Sequence, residues 1–421
     1  MTDSMNLINA QVTFLEPRLV LVHIPNELFS FFTQPFLRIL FDHDHSEDTS
    51  KITWTDRHAF LNLSITPVGC SLICSKELVE KYLTPLTEQF DNLLGKTKAK
   101  SAGIETSHDE YVAIQVDGQG LDAGQRVLEL TGPLAMAGIS IFFITTYFSD
   151  YILVPVKARH TVVTTLQQRG FVFSAEAEAY VSQLSPILQH NRNLSSPFHE
   201  RPQTASSSGS DGRPPSSPMP STPPAKDIPE LQIRTFTKLM KNKIEPAVDP
   251  NLRLVNCAGN RDHDEASTRQ LKEDLIQVLL ASNSPRPTTH KTVGLTDDTD
   301  FSAKFLSMTL SSEPISILME ERLLTQLGST LLGTKGEEDV LVPIVLDLRA
   351  LGWTATGIVG GVAGRLSQGA ASFQLEEGDN EPVEISFLSS AKAGSVIVRA
   401  KQLGRALRAL ELGMEEVKGR K

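Results

Sequence analysis

Cysteine is scarce in this chain of 421 residues, which carries only Cys70, Cys74 and Cys257. The thiols are odd in number, and the opening "MTDSMNLINAQVTF" lacks the basic start and apolar block of a secretory leader. A secreted protein stapled by disulfides is therefore not expected. We predict a cytoplasmic protein in which Cys70 and Cys74 belong to the core.

Long hydrophobic runs are also missing. The longest candidate, "GISIFFITTYFSDYILVPV" at residues 138–156, is interrupted by Thr145, Ser149 and Asp150. A membrane-spanning helix requires roughly 20 consecutive apolar residues. We therefore expect no membrane insertion.

Clustered positive charge and catalytic motifs are absent as well. The net charge is −10, and Lys and Arg form no patch of the kind that binds phosphate groups. This argues against a nucleic-acid partner. No G-x-S-x-G or H-E-x-x-H motif occurs, so we predict that the protein is not an enzyme.

Three stretches superficially resemble cofactor or metal sites. The glycines of "GIVGGVAG" at residues 357–364 do not follow the G-x-G-x-x-G spacing of dinucleotide sites and are more typical of close packing. The polar runs "FDHDHSED", with His43 and His45, and "NRDHDE" at residues 260–265 are usually solvated. We predict neither a cofactor nor a metal ion.

What the sequence does contain is a long Ser- and Pro-rich stretch at residues 191–229, "NRNLSSPFHERPQTASSSGSDGRPPSSPMPSTPPAKDIP". Such a segment has too few apolar side chains to offset its ordering entropy by burial. We predict a disordered linker that divides the chain into two halves of similar length.

The two halves repeat each other. "FLNLSITPVGCSLICSKELVEKYL" from Phe60 aligns without a gap to "FLSMTLSSEPISILMEERLLTQLG" from Phe305, and each is predicted to form a strand, a turn, a strand and the start of a helix. A second unit also repeats. A buried helical stripe with i, i+3, i+7 spacing begins at Val127 and again at Val359, and a pair of strands follows each stripe.

The chain is therefore interpreted as four modules, called segments 1 to 4 below: residues 8–104, 105–190, 230–336 and 337–415. Alternating short strands and helices predict an α+β fold of four ferredoxin-like (βαββαβ) modules arranged as two tandem pairs. Small modules with bare sheet edges are marginal alone, so we expect them to pair by their edges or helix faces.

The polar stretch "TTYFSD" at residues 145–150 is predicted to lie at the return of a hairpin. Ordinary turn chemistry, in which Ser149 and Asp150 cap their own backbone, is one explanation. The other depends on Asp122, a plausible N-cap for the helix that carries the Val127 stripe. A helix N-terminus suits a carboxylate and Asp150 suits an ammonium group, and together they would fit a free amino acid.

The segment "GPLAMAGISIFFITTYFSDYILV" closely resembles the ACT-domain amino-acid sensors of the cytosolic arginine sensor type, which regulate TOR complex 1 signalling. The hairpins that begin at Phe60 and Phe305 resemble that family's first and third modules, and "GIVGGVAGRL" its fourth. The resemblance implies four ACT modules, similar to the regulatory part of aspartate kinases, that bind an amino acid between the second and fourth modules. The long Ser/Pro-rich linker is typical of a fungal member.

The resemblance also implies a set of binding residues. They are Asp122, Gly124, Val127, Thr146, Tyr147 and Asp150 in segment 2 and Gly357, Ile358, Val359, Ser389 and Ser390 in segment 4. One departure matters: Gly394 stands where the family's last hairpin supplies an acidic residue. Arginine is therefore not favoured, and mirrored use of the pocket through Asp150, another amino acid, and an empty pocket remain open.

Two functions follow from these observations. The first is a non-enzymatic sensor that binds a free amino acid and changes the contacts of a protein partner in nutrient signalling of the TOR complex 1 type; a homodimer is compatible with this prediction. The second is an ACT-fold scaffold that binds partner proteins without a ligand. The sensor is the leading prediction, and the loss of the acidic residue at Gly394 is the observation that favours the scaffold.

Overall fold

The computed structural model describes residues 11–41, 54, 57–93, 103–117, 123–174, 225–259, 265–282, 304–327, 331–333, 340–368 and 383–419. The linker residues 191–224 and the polar runs that superficially resemble metal sites, at residues 42–48 and 260–264, lie outside these ranges. No helix in the described ranges is long and apolar enough to cross a membrane.

The strands of the described residues are short. They are β1 (Gln11–Phe14), β2 (Leu19–Ile24), β3 (Phe60–Thr66), β4 (Gly69–Ser75), β5 (Glu105–Thr106), β6 (Tyr111–Asp117), β7 (Phe142–Thr145), β8 (Asp150–Pro155), β9 (Val172–Phe173), β10 (Ala247–Val248), β11 (Leu254–Gly259), β12 (Leu306–Ser311), β13 (Ser316–Glu320), β14 (Leu331–Gly333), β15 (Leu341–Asp347), β16 (Ile385–Ser389) and β17 (Ala393–Arg399).

The helices alternate with these strands. They are α1 (Phe29–Phe41), α2 (Lys76–Leu78), α3 (Thr84–Leu93), α4 (Ala123–Met136), α5 (Arg159–Gln167), α6 (Ile228–Lys241), α7 (Glu265–Ser282), α8 (Ile358–Gln368) and α9 (Leu403–Lys418). A π-helical turn, Val79–Leu83, connects α2 to α3. Helix α6 begins inside the stretch assigned to the linker, with Asp227 as its N-cap accepting from the backbone N–H of Glu230.

The prediction of four separate ferredoxin-like modules is wrong. Twelve strands close into one antiparallel barrel in the order β2, β4, β3, β12, β13, β11, β15, β17, β16, β7, β8, β6, and β6 returns to β2. The physical reason lies in the strand edges, because a bare edge is a row of unpaired N–H and C=O groups. Here the edge strands of each segment pair with edge strands of other segments, so that none of the twelve barrel strands has an open edge.

The seams between segments differ in strength. Strand β3 pairs with β12 over six residues, from Phe60 opposite Ser311 to Ile65 opposite Leu306, and this seam joins the two halves of the chain. Three other seams carry one residue pair each: Ile144 with Leu388, Leu254 with Leu341, and Leu19 with Tyr111.

The helices lie outside the barrel in two layers, because successive side chains of a strand alternate between its faces. Helices α1, α3 and α7 cover one side, where Leu61 and Leu63 pack with Phe32. Helices α4, α5, α6, α8 and α9 cover the other side. The opposite strand faces form the barrel interior with Leu19, Leu21, Phe60, Ile73, Tyr111, Phe142, Tyr151, Leu254, Phe305 and Leu388.

The predicted repeat is visible in the hairpin registers. Leu63 pairs with Leu72 in β3–β4, and the aligned Met308 pairs with Ile317 in β12–β13. The predicted strand-turn-strand units are therefore confirmed at both places, although a 3-10 turn, Glu321–Gln326, replaces the second helix start. The three cysteines are free and buried, which confirms that Cys70 and Cys74 belong to the core.

Candidate functional site

The "TTYFSD" stretch forms the return of the β7–β8 hairpin, as the sequence predicted, with Thr145 opposite Asp150. The turn between them is held by its own groups. Thr146 donates its backbone N–H to the carbonyl of Ser149 at 3.0 Å and its hydroxyl to the same carbonyl at 2.7 Å. Ordinary turn chemistry therefore accounts for Thr146 and for the backbone of Ser149.

Asp150 has a different environment. Its side chain is fully buried and forms an ion pair with Arg126 of α4, whose Nε donates to Asp150 Oδ2. The other oxygen, Oδ1, is buried and has no hydrogen-bond partner. Burial raises the pKa of Asp150 above its ordinary value, and the Arg126 guanidinium and the Thr145 hydroxyl oppose that shift.

Sequence reasoning missed Arg126. A signal was available, because a cation in the first turn of a helix faces the positive end of the helix dipole and is unfavourable there. Arg126 is the fourth residue of α4, which has no acidic residue in its first turn. A basic residue at such a position indicates a specific anionic partner elsewhere, and here the partner is Asp150.

The stripe residues of segments 2 and 4 are packing residues in this structure. Val127 is 1% exposed and Val359 is 5% exposed, and both belong to the core beneath the helices. Helices α4 and α8 approach closely, since a Cβ added at Gly360 would lie 3.2 Å from the Thr131 hydroxyl. The close-packing interpretation of the "GIVGGVAG" glycines therefore holds at this contact.

Helix α6 covers the start of α8, another feature that sequence reasoning missed. Gly357 has φ +85°, a conformation that favours glycine, and its carbonyl accepts from the Thr235 hydroxyl at 2.9 Å. The Lys238 ammonium donates to the carbonyl of Thr356 at 2.8 Å. These contacts place α6 against the start of α8, where Ile358 is 6% exposed.

Segments 2 and 4 also meet through strands β7 and β16. Ser389 accepts from the backbone N–H of Phe143 at 3.0 Å, and Thr145 accepts from the backbone N–H of Phe387 at 3.1 Å. Ser390 instead closes the β16–β17 turn by bonding to the backbone of Ala393. The structure thus brings Ser389 to the β7–β8 hairpin and leaves Ser390 in its own turn.

Three predicted residues remain to be placed. Asp122 lies outside the described residues, and Gly124 lies in the first turn of α4. Tyr147 is at the tip of the β7–β8 turn, where it is 38% exposed and stacks edge-on against Phe148.

The opposite side of this turn contacts the β12–β13 hairpin of segment 3. The backbone N–H of Tyr147 donates to Ser316 Oγ at 2.9 Å, and the Ser149 hydroxyl donates to Glu313 Oε1 at 2.7 Å. The Tyr151 hydroxyl is 2.8 Å from Ser311 Oγ. The β7–β8 turn therefore connects Asp150 and segment 3.

Segment 4 makes the mirrored contact with segment 1, because the backbone N–H of Ala391 in the β16–β17 turn donates to Ser71 Oγ at 2.9 Å. Lys392, in the β16–β17 turn, forms a 2.6 Å ion pair with Glu105 and lies over the Trp353 ring at 4.6 Å. His23 of β2 lies near this pair, and burial lowers the pKa of His23 to about 4, while Glu105 opposes the shift.

The mirrored sites differ in one respect. Asp150 pairs with Val116 and Thr145, and Gly394 takes the same place in segment 4, opposite Leu346 and Ser389. The stripe alignment of Val127 with Val359 places Ile358 where segment 2 has Arg126. Both charges of the segment 2 ion pair are therefore absent from segment 4.

Comparisons with known proteins identify one family within the chain. Residues 106–168 match the family model of the ACT domain, and this range runs from β5 to just after α5. No curated protein matches the chain.

Among solved structures, the chain is similar to aspartate kinase from Synechocystis, with 11% identity, a TM-score of 0.29, and coverage of 99% of this chain and 57% of the kinase. It is also similar to the protein Atu0741 from Agrobacterium tumefaciens, with 14% identity, a TM-score of 0.25, and coverage of 39% of this chain and 92% of Atu0741. A third similar structure is VC0802 from Vibrio cholerae, described as a possible transport protein, with 15% identity, a TM-score of 0.24, and coverage of 39% of this chain and 94% of VC0802. The family match places an ACT domain, with α4, β7 and β8, within a larger barrel.

Proposed function

We propose that this protein is a non-enzymatic regulator that binds a free amino acid through the ACT domain at residues 106–168. The observation that supports this most is the position of the family match, which contains the first turn of α4 and the β7–β8 hairpin together. A helix N-terminus offers unpaired backbone N–H groups and a partial positive charge to the ligand's carboxylate.

The ligand would lie where segments 2 and 4 meet. Helix α4 packs on α8 there, and the Thr145 and Ser389 hydroxyls bridge β7 and β16. An amino acid bound at this contact stabilises the arrangement in which α4 and α8 are in contact.

The β7–β8 turn supplies a route from ligand to partner. The turn contacts helix α4 of the ACT domain through the ion pair of Asp150 with Arg126. It contacts the β12–β13 hairpin through Ser149 and Tyr147. A ligand that prefers one position of the turn also favours one arrangement of the two halves, by no more than its differential affinity. We propose that this arrangement controls binding to a cytoplasmic nutrient-signalling partner of the TOR complex 1 type, as the resemblance to the arginine-sensor family implies.

The test is thermal unfolding of the purified protein with each of the twenty amino acids. A ligand at 100 times its dissociation constant stabilises the folded state by about 2.7 kcal/mol, which is visible as a rise in the melting temperature. We expect one amino acid, or one chemical class, to produce the rise, and Gly124→Val to abolish it by blocking the first turn of α4. Gly404→Val is the matched control in α9, where nothing lies within 4 Å of an added Cβ.

A ligand-free scaffold is the second candidate. It is favoured by the ion pair of Arg126 and Asp150, which neutralises the buried carboxylate from within the chain. Under this alternative none of the twenty amino acids changes the melting temperature, and Gly124→Val and Gly404→Val leave partner binding equally intact.

A further inference from the structure

The Arg126–Asp150 pair lies inside the ACT match, at the place where the proposed function puts the ligand. The Asp150 side chain is 0% exposed, whereas the Arg126 side chain keeps 17% of its exposure. The carboxylate is therefore the fixed, buried partner and the guanidinium enters from the protein surface. The pair therefore resembles a buried carboxylate with a cation bound to it from the surface, more than it resembles two core residues packed together.

The carboxylate needs a cation. An ionised carboxylate removed from water is costly unless it is paired and hydrogen-bonded. Asp150 Oδ2 has the Arg126 Nε, but Oδ1 is buried without a hydrogen-bond partner, so its hydrogen-bonding capacity is only partly used. A guanidinium can satisfy both oxygens of a carboxylate in a fork, and Arg126 uses Nε on one of them.

The fourth segment shows what happens when the carboxylate is absent. Gly394 and Ile358 occupy the places of Asp150 and Arg126, and a Cβ on Gly394 would meet ordinary contacts at 3.6 Å with Leu348 and Phe387. Packing therefore does not require a charge at this position of the fold. The two charges occur together in segment 2, which indicates that each is there for the other.

We propose that the Arg126 guanidinium is an intramolecular ligand of Asp150, filling the position that the cationic group of an amino-acid ligand would otherwise take. The proposal rests on the proposed function for the location of the ligand site. Its consequence is a restriction on ligand class: the cationic side chains of arginine and lysine are excluded from Asp150 in the wild type.

The test removes the internal guanidinium and supplies one from solution. Arg126→Ala is titrated with methylguanidinium chloride at millimolar concentrations, with sodium chloride at equal ionic strength as reference, and the melting temperature is recorded. We expect a saturable rise for Arg126→Ala and none for the wild type. The double variant Arg126→Ile with Asp150→Gly copies the residues of segment 4 and should fold without responding to methylguanidinium.

A second variant covers the case in which Arg126→Ala does not fold. Arg126→Gln keeps a long polar stem and is titrated in the same way by calorimetry. If a folded Arg126→Ala or Arg126→Gln variant does not bind methylguanidinium, the proposal is overturned. A wild-type response to arginine that Asp150→Asn removes would also overturn it.

The proposed function and this inference fail separately. Methylguanidinium binding to the Arg126 variants reports only on the Asp150 site and does not require that any amino acid binds. If no amino acid raises the melting temperature of the wild type but methylguanidinium raises that of Arg126→Ala, amino-acid sensing is rejected and the role of Arg126 as an internal ligand is supported. If an amino acid raises the melting temperature of the wild type but methylguanidinium does not bind the Arg126 variants, amino-acid sensing is supported and the internal-ligand proposal is rejected.

Discussion

Ser149 and Glu313 are 164 residues apart in the chain, and the Ser149 hydroxyl donates a 2.7 Å hydrogen bond to the Glu313 carboxylate. The same carboxylate accepts from the Tyr151 hydroxyl at 3.1 Å. One acidic side chain of segment 3 thus binds Ser149 and Tyr151, the two residues that flank Asp150 in the hairpin. The contact crosses between the halves of the chain, so it is a means by which a change at the ACT domain reaches segment 3.

This relationship predicts energetic coupling between the two hairpins. Removing a partner from a partly buried, charge-assisted hydrogen bond costs about 1–3 kcal/mol, so Ser149→Ala and Glu313→Gln should each lower the free energy of unfolding. Because the residues are in contact, the double variant should lose less than the sum, by roughly 0.5–3 kcal/mol. Urea unfolding of the four proteins measures this; strict additivity would mean that the bond does not couple the halves.

The contact between α6 and α8 predicts a strong effect of a single methyl group. A Cβ added at Gly361 would lie 2.5 Å from the Cβ of Thr235, so Gly361→Ala forces the two helices apart. Overpacking of this kind typically costs about 1–3 kcal/mol. Gly404→Ala is the matched control, since its added methyl meets nothing within 4 Å and should stabilise α9 by up to about 1 kcal/mol.

These two alanine variants are compared by chemical unfolding under identical conditions. Equal effects of the two substitutions would show that α6 does not pack on α8 through Gly361. A large loss for Gly361→Ala alone would support the arrangement in which α6 covers the start of α8.

The environment of His23 predicts a pH dependence of stability. The pKa of His23 falls from 6.5 to about 4, chiefly because of burial, with Lys392 and Arg349 lowering it and Glu105 and Asp347 raising it. Between pH 6.5 and pH 4, His23 is protonated in the unfolded chain but neutral in the folded chain. The free energy of unfolding therefore decreases as the pH falls from 6.5 through 4. A shift of this size corresponds to about 3 kcal/mol.

The measurement is the free energy of unfolding as a function of pH for the wild type and His23→Gln. The difference between the two curves isolates His23 from the other titrating groups, because they are common to both proteins. We expect the difference to change between pH 6.5 and pH 4 and to be level above pH 7. A difference that is constant throughout would contradict burial of a neutral His23.

The sequence predicted local units well because local patterns specify them. The gapless alignment of the Phe60 and Phe305 stretches placed both hairpins in register, and the stripes at Val127 and Val359 identified buried helix faces. Barrel closure was not predictable in this way. It depends on seams as short as Leu19 opposite Tyr111, between residues far apart in the chain and with no periodic signal of their own.

The candidate site shows a similar division. Asp150 could be singled out as a carboxylate at a hairpin return, but its partner lies on a helix whose distance from that hairpin is set by the fold. Arg126 precedes the Val127 stripe by one residue and belongs to none of the motifs found in the sequence. Its unfavourable place near the helix start is the physical reason to have suspected a partner.

The polar residues of β3 lead to the last prediction. Alternation in "FLNLSIT" is typical of a strand with one face in water, but Asn62 and Ser64 are 0% exposed and lie at the seam with β12. Asn62 donates to Ser307 Oγ and to Thr309 Oγ1, each at 3.0 Å, and accepts from the Ser64 hydroxyl at 2.7 Å. The polar face is therefore buried and joins the two halves of the chain.

Asn62→Ala should be among the costliest polar substitutions in the protein, because it leaves the hydroxyls of Ser64, Ser307 and Thr309 buried with fewer partners. Each unsatisfied buried polar group costs about 1–3 kcal/mol, whereas Gln167→Ala, on the exposed face of α5, should stay within about 0.5 kcal/mol. Equilibrium urea unfolding compares the two variants with the wild type. Since β3–β12 is the longest seam between the halves, a loss for Asn62→Ala no larger than for Gln167→Ala would mean that this polar network does not hold the barrel together.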